Sequence, residues 1–283
     1  MRSRRYVLVD VFTDVALAGN QLGVFTDARD LDPVTMQALA QELGFSECVF
    51  VLPPQADGHA RLRIFTPRTE LPFAGHPVLG AAFVLGAPLQ LAVLELETGS
   101  GTVRVELARD ESGRIVFGWM TQPVPAVESF EHEAELLAAL GVGGSTLPVQ
   151  AYDNGIRHVY VGLGSEEDVA RLAPDPRGLA ALDVAGVNVF AGSGSAWKLR
   201  MFSPLEGVGE DAATGSAAGP LACHLSRHGL VAWGEQIVVS QGAEIGRPST
   251  LHARARGFAD AIESVEVGGS AVVVARGEFR LPA

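Results

Sequence analysis

The chain has 283 residues, room for two domains of ordinary size, and 47% of them are hydrophobic, enough for a large core. A formal net charge of −12 argues against a nucleic-acid partner, which would want a basic face. The apolar runs stop well short of a membrane span, and two cysteines, Cys48 and Cys223, give neither a disulfide framework nor zinc spacing.

The N-terminus, Met1-Arg2-Ser3-Arg4-Arg5, is basic but leads straight into a predicted strand at residues 6–12. No signal peptide with a small-residue cleavage site is visible, so the expected compartment is cytoplasmic. A second strand is predicted at 22–26, after the loop Leu17-Ala18-Gly19-Asn20. A punctuated helix follows, with Asp32 as N-cap, Pro33 at its first position and Gly44 at its C-terminal cap. Phe45-Ser46-Glu47-Cys48-Val49-Phe50-Val51-Leu52 then reads as a strand that puts Glu47 on one face with Phe45, Val49 and Val51. An acid in such company sits at a solvated edge or is set in an apolar pocket, and the edge is the ordinary case.

Residues 61–66 predict a strand and 75–86 a helix of small and apolar residues. Residues 91–97, 102–107 and 115–120 read as a β-meander, and Pro123 and Pro125 mark a linker. The second half opens with a helix near 131–140 closed by Gly141. Strands are predicted near 149–152, 158–163, 187–191 and 197–202, with a short helix near 166–172. After a second small-residue helix, strands follow at 237–240, 251–256, 262–267 and 271–275.

The chain says nearly the same thing twice. Arg63-Ile64-Phe65-Thr66-Pro67 leads through Glu70 to Ala74-Gly75-His76-Pro77 and a helix. Arg200-Met201-Phe202-Ser203-Pro204 leads through Asp211 to Thr214-Gly215-Ser216 and another. Two similar halves predict a duplicated domain, each aiming a helix N-terminus at a shared cleft. Helix starts leave backbone N–H groups without partners and attract carboxylate or phosphate. Each helix is apolar nearly all round and must lie inside a wrapped sheet. The expected halves are residues 1–122 and 123–270, with a strand at about 271–283 returning to the first.

Glu47, Asp211 and His76 are the groups to bring into one site. A helix start is a poor place for a positive charge, so His76 is expected neutral and able to donate or accept a hydrogen bond. Equally, His76 reads as a plain first-turn residue and Asp211 as a turn or cap. His224 and His228 have the spacing of a metal pair but no third ligand, and the last turn of a helix is a common place for histidine. Lys198, the only lysine, reads as facing solvent. Gly192-Ser193-Gly194 is not a dinucleotide fingerprint, and no Walker loop or nucleophile elbow is present.

At these residues the sequence resembles the PhzF family of the diaminopimelate-epimerase-like superfamily. The markers are Gly19-Asn20, Phe45-Ser46-Glu47, residues 70–77, 200–204 and 210–220, and Gln241-Gly242 through Pro248. The resemblance implies an α+β fold of two pseudo-symmetric domains, each a mostly antiparallel sheet around a central helix, with the active site in the cleft. It implies an isomerase of phenazine, hence antibiotic, biosynthesis that acts on trans-2,3-dihydro-3-hydroxyanthranilate. Glu47 would be the acid/base that moves the proton; His76, Asp211 and Ser216 would bind and polarise the substrate, helped by amides near Gly75 and Gly215 and by Asn20 and Ser46. It also implies a cofactor-free homodimer with no metal. Gln21 stands where the family pattern has proline. The superfamily's amino-acid epimerases carry a cysteine in each helix-start motif, whereas here those positions are Gly75-His76 and Gly215-Ser216. The rival readings are an isomerase or epimerase on another amino-acid-derived substrate and a non-catalytic carboxylate-binding protein.

Overall fold

The computed structural model describes residues 2–182, 184–203 and 209–281. Met1 and Pro204, the end of the second repeated motif, lie outside the described residues. The chain divides into two compact units, Met1–Thr121 with Gly268–Ala283, and Gln122–Val267.

The first unit contains β1 (Arg2–Val11), β2 (Asn20–Phe25), α1 (Pro33–Leu43), β3 (Glu47–Leu52), β4 (Ala60–Phe65), β5 (Glu70–Leu71), α2 (Gly75–Leu89), β6 (Val93–Thr98), β7 (Gly101–Arg109) and β8 (Ile115–Gln122), together with the C-terminal strand Ala271–Leu281. That last strand pairs antiparallel with β1, and β1 with β2. The β2–β3 and β4–β6 pairs are parallel, while β3–β4, β4–β5, β6–β7 and β7–β8 are antiparallel. Asp32 caps α1 by accepting the Thr35 N–H at 2.9 Å, and Gly44 closes it in the left-handed conformation. The α1 residues Met36, Leu39 and Ala40 pack on Cys48, Phe50 and Leu52, one face of β3. Every residue of α2 from Gly75 to Ala82 is buried, as an all-apolar helix requires.

The second unit contains β9 (Ala126–Ser129), α3 (Glu133–Leu140), β10 (Gln150–Asp153), β11 (Arg157–Gly162), α4 (Glu166–Ala170), α5 (Pro176–Ala180), β12 (Gly186–Ser193), β13 (Ala196–Ser203), β14 (Gly209–Asp211), α6 (Gly215–Arg227), β15 (Gln236–Gln241), β16 (Ser249–Phe258) and β17 (Ala261–Gly269). The pairing scheme of the first unit recurs: β10–β11 antiparallel, β11–β12 parallel, β12–β13 and β13–β14 antiparallel, β13–β15 parallel, β15–β16 antiparallel. The central helix is again buried, from Gly215 to Ser226. Pro220 has no N–H for the Ser216 carbonyl four residues back. The side-chain amide of Asn154 supplies that bond at 2.9 Å, Tyr160 donates to the Ala217 carbonyl and Gln122 to that of Gly215. Polar side chains outside α6 thus hold its first turn in place.

Three expectations need correction. β3 lies between β2 and β4, so Glu47 heads an interior strand rather than an edge. Lys198 does not face solvent: its side chain is 12% exposed and its ammonium is 2.6 Å from Glu244. His224 is fully buried among Tyr152, Tyr160 and Phe190, and burial lowers its pKa to about 3, so it meets no helix dipole as a cation. The short elements β9 and α5 were not expected. α5 is one turn capped by Asp175, too short for hydrophobic periodicity to mark it. No helix among the described residues is long and apolar enough to cross a membrane.

Candidate active site

The repeated arginines explain how each helix start is aimed. Arg63 grips Glu70 of β5 through two hydrogen bonds, 2.7 and 2.6 Å, and Arg200 grips Glu210 of β14 in the same way, 2.8 and 2.6 Å. Planar two-point pairs fix orientation as well as distance. Each pins the short strand that runs into the central helix. The structural counterpart of Glu70 is therefore Glu210, and Asp211 stands where the first unit has Leu71.

In the first unit α2 opens at Ala74, which provides no side-chain cap, and the first-turn N–H groups at Gly75 and His76 have no intrahelical acceptor. His76 is 3% exposed. Its Nδ1 lies 3.5 Å from Glu47 Oε2 and 3.4 Å from the side-chain nitrogen of Asn20. Ser46 donates to the Asn20 amide oxygen at 3.0 Å, which turns the amide nitrogen towards the imidazole. Burial lowers the His76 pKa to about 3, opposed by hydrogen bonding to the Gln21 backbone. The Glu47 contact is thus carboxyl to neutral imidazole, not an ion pair. His76 Nε2 is buried and meets no partner among the described residues. The Glu47 side chain is 16% exposed. Glu47, His76, Asn20, Ser46 and Gly75 therefore form one polar cluster at the mouth of an apolar sheet. Gln21 leaves that cluster intact, since Asn20 and Gln21 pair in register with Val11 and Asp10.

In the second unit Thr214 occupies the cap position of α6 without capping it, and its hydroxyl donates instead to Asp211 at 2.6 Å. Gln241 locks this turn. Its amide oxygen accepts from the Thr214 N–H at 3.0 Å, and its nitrogen reaches the Asp211 carbonyl and the Thr214 hydroxyl, each at 2.9 Å. Asp211 is 8% exposed and Ser216 3%. Ser216 Oγ lies 3.0 Å from His158 Nε2. Asp211, Gly215 and Ser216 are brought together here. His158 and Gln241 were not singled out as site residues. Gln241 had been visible only as part of a family marker, and His158 carried no local motif.

The two clusters are not equivalent. Arg63 pairs across to Phe50 and Arg200 to Val189, so counting back three residues sets Glu47 against Gly186. The second unit has no carboxylate at the counterpart of Glu47. A Cβ at Gly186 would lie 2.4 Å from His158 Nδ1, so the imidazole fills that space. Neither thiol substitutes for a second acid. Cys48 and Cys223 are buried, and burial pushes each up to about 12, which keeps them protonated.

Three buried histidines, His76, His158 and His224, carry pKa values lowered to about 3 by burial. The unfolded chain binds protons at these positions below about 6.5. Between those values the unfolded state holds more protons, so stability is complete above pH 6.5 and falls as pH drops towards 3. Denaturant unfolding at pH 8 and pH 5 should show a lower midpoint at pH 5; an unchanged or higher midpoint contradicts neutral burial.

Comparison with known proteins agrees with this architecture. The family model described as "Phenazine biosynthesis-like protein" matches residues 9–277. A trans-2,3-dihydro-3-hydroxyanthranilate isomerase of Pseudomonas aeruginosa is 52% identical over 277 residues, 98% of this chain and 99% of that one. A PhzF-family phenazine biosynthesis protein of Bacillus anthracis superposes with a TM-score of 0.84 at 25% identity, covering 99% of this chain and all of the other. A hydroxyproline epimerase of Agrobacterium vitis shares the fold alone, with a TM-score of 0.67 at 14% identity over 98% of this chain and 92% of that one. The chain belongs to the phenazine biosynthesis-like (PhzC–PhzF) family.

Proposed function

We propose that this chain is an isomerase that converts trans-2,3-dihydro-3-hydroxyanthranilate to an aminoketone by moving one proton along the ring diene. The observation that carries the reading is that the carboxylate is not duplicated at the equivalent position: Glu47 stands beside His76 at 3.5 Å, and its counterpart is Gly186. Inverting a stereocentre needs bases on opposite faces, whereas a proton shift along one face of a diene needs one group acting as base and then as acid.

Glu47 takes the proton from the hydroxyl-bearing carbon, the diene electrons shift, and Glu47 returns the proton further along the ring. The resulting enol relaxes to the ketone, with no net gain or loss of electrons. Neutral His76 and the amides of Gly75 and His76 hold a substrate polar group near Glu47, and Asn20 and Ser46 fix the imidazole. Asp211, Ser216 and the Gly215 amide bind a polar group of the substrate; this part rests on the sequence repeat and on the relative named for this substrate. A homodimer and a cytoplasmic setting belong to the same proposal. The test is incubation of the purified protein with trans-2,3-dihydro-3-hydroxyanthranilate. Loss of substrate with coloured condensation products supports the reading. Tight binding without turnover favours a carboxylate receptor, and neither binding nor turnover favours another amino-acid-derived substrate.

A further inference from the structure

Among the described residues, the Ser216 hydroxyl makes one hydrogen bond, to His158 Nε2 at 3.0 Å. Its direction follows from Asn188. The Asn188 side-chain nitrogen lies 3.3 Å from the Val159 carbonyl oxygen, 3.4 Å from that of Gly186 and 3.2 Å from His158 Nδ1. Turning the amide over would set its oxygen against two carbonyl oxygens, so the nitrogen must face them. It then also faces Nδ1 as a donor, and Nδ1 must accept. His158 is 1% exposed and neutral, because burial lowers its pKa to about 3. A neutral imidazole that accepts at Nδ1 carries its hydrogen on Nε2. That hydrogen points at Ser216 Oγ. The serine oxygen is occupied as an acceptor, and its own proton has no partner among the described residues.

We propose that His158, held in one tautomer by Asn188, is a positioning residue that makes Ser216 an obligate hydrogen-bond donor to a carboxylate or carbonyl oxygen of the substrate. This rests on the reading that Ser216 touches substrate. It explains why the second unit has glycine opposite Glu47: a side chain at Gly186 would displace the His158 ring. It also makes the two helix starts chemically distinct. One couples an imidazole to an acid that exchanges protons, while the other offers a hydroxyl whose polarity is set and does not change.

Kinetics of H158F, H158Q, S216A and the H158F/S216A double variant test the idea. A hydrogen bond to a charged group corresponds to roughly a 10- to 100-fold effect, so S216A should raise KM by about that factor with kcat little changed. H158F should raise KM several-fold in the wild-type background and add nothing in the S216A background, a non-additivity expected only if His158 acts through Ser216. H158Q, whose amide can still donate, should recover part of the loss. Equal costs of H158F in both backgrounds would overturn the inference while leaving substrate contact by Ser216 intact. Normal KM in S216A would overturn both. If H158F does not fold, nitrogen-15 NMR of histidine-labelled wild-type protein decides, with the His158 signal assigned from its loss in H158Q. Hydrogen on Nε2 supports the proposal, and hydrogen on Nδ1 sinks it.

Discussion

The Glu47→Gln protein should fold and lose turnover by about 10²- to 10⁴-fold, the usual contribution of a general acid–base group. Glutamine keeps the shape of glutamate and its place at the head of β3, where Val49 and Phe50 are fully buried and anchor the strand. It retains polar atoms towards His76 and can bind, but it cannot take and return a proton. No second carboxylate stands at the equivalent position to compensate, because that position is Gly186. Circular dichroism and thermal melting establish the fold, and initial rates with substrate establish the loss. A folded variant with near-normal activity would remove Glu47 from the mechanism.

Gly242→Ala should damage stability and activity together. Gly242 has φ +79°, and a Cβ there would lie 2.4 Å from two backbone oxygens, those of Ala212 and Arg247. Neither oxygen can swing away as a side chain would. Its neighbour Gln241 holds the Asp211–Thr214 turn through three hydrogen bonds. Overpacking costs about 1–3 kcal/mol, and a left-handed non-glycine residue about 1–2 more. Gly194→Ala serves as the control: its φ is +55° but nothing lies within 4 Å, so only the smaller conformational cost applies. Thermal midpoints and kcat/KM of both variants, measured side by side, should show a much larger drop for Gly242→Ala. Equal drops would mean that the crowding around Gly242 carries no weight.

Much of this arrangement was legible in the sequence because it is local. The caps of α1 are written in Asp32, Pro33 and Gly44, and the two central helices in unbroken small and apolar runs. The repeat Arg63 to Gly75 and Arg200 to Gly215 announced the duplication, and the acid on an apolar face pointed at Glu47. The rest depends on strand pairing, which sequence spacing does not encode. That β3 is interior follows from its register with β2 and β4, so the edge expectation for Glu47 failed. Lys198 found Glu244 across forty-odd residues of chain, and His158 found Ser216 across an even longer separation. The mismatch between Glu47 and Gly186 appears only when the registers of β4 and β13 are laid against each other. In the repeat, Asp211 was set in parallel with Glu70, one residue too far along, since either neighbouring acid, Glu210 or Asp211, satisfied the pattern and only the two-point geometry chose between them.

The central claim is that one acid, Glu47, both removes and returns the substrate proton. The direct measurement is the reaction in deuterated water, with the product trapped at short times and its hydrogen content read by mass spectrometry before exchange next to the ketone sets in. A carboxyl shared by one substrate molecule and largely screened from solvent should deliver part of the original hydrogen to the receiving carbon. Partial retention at the earliest times is the predicted result. Complete solvent label at that carbon from the first time point would contradict the account.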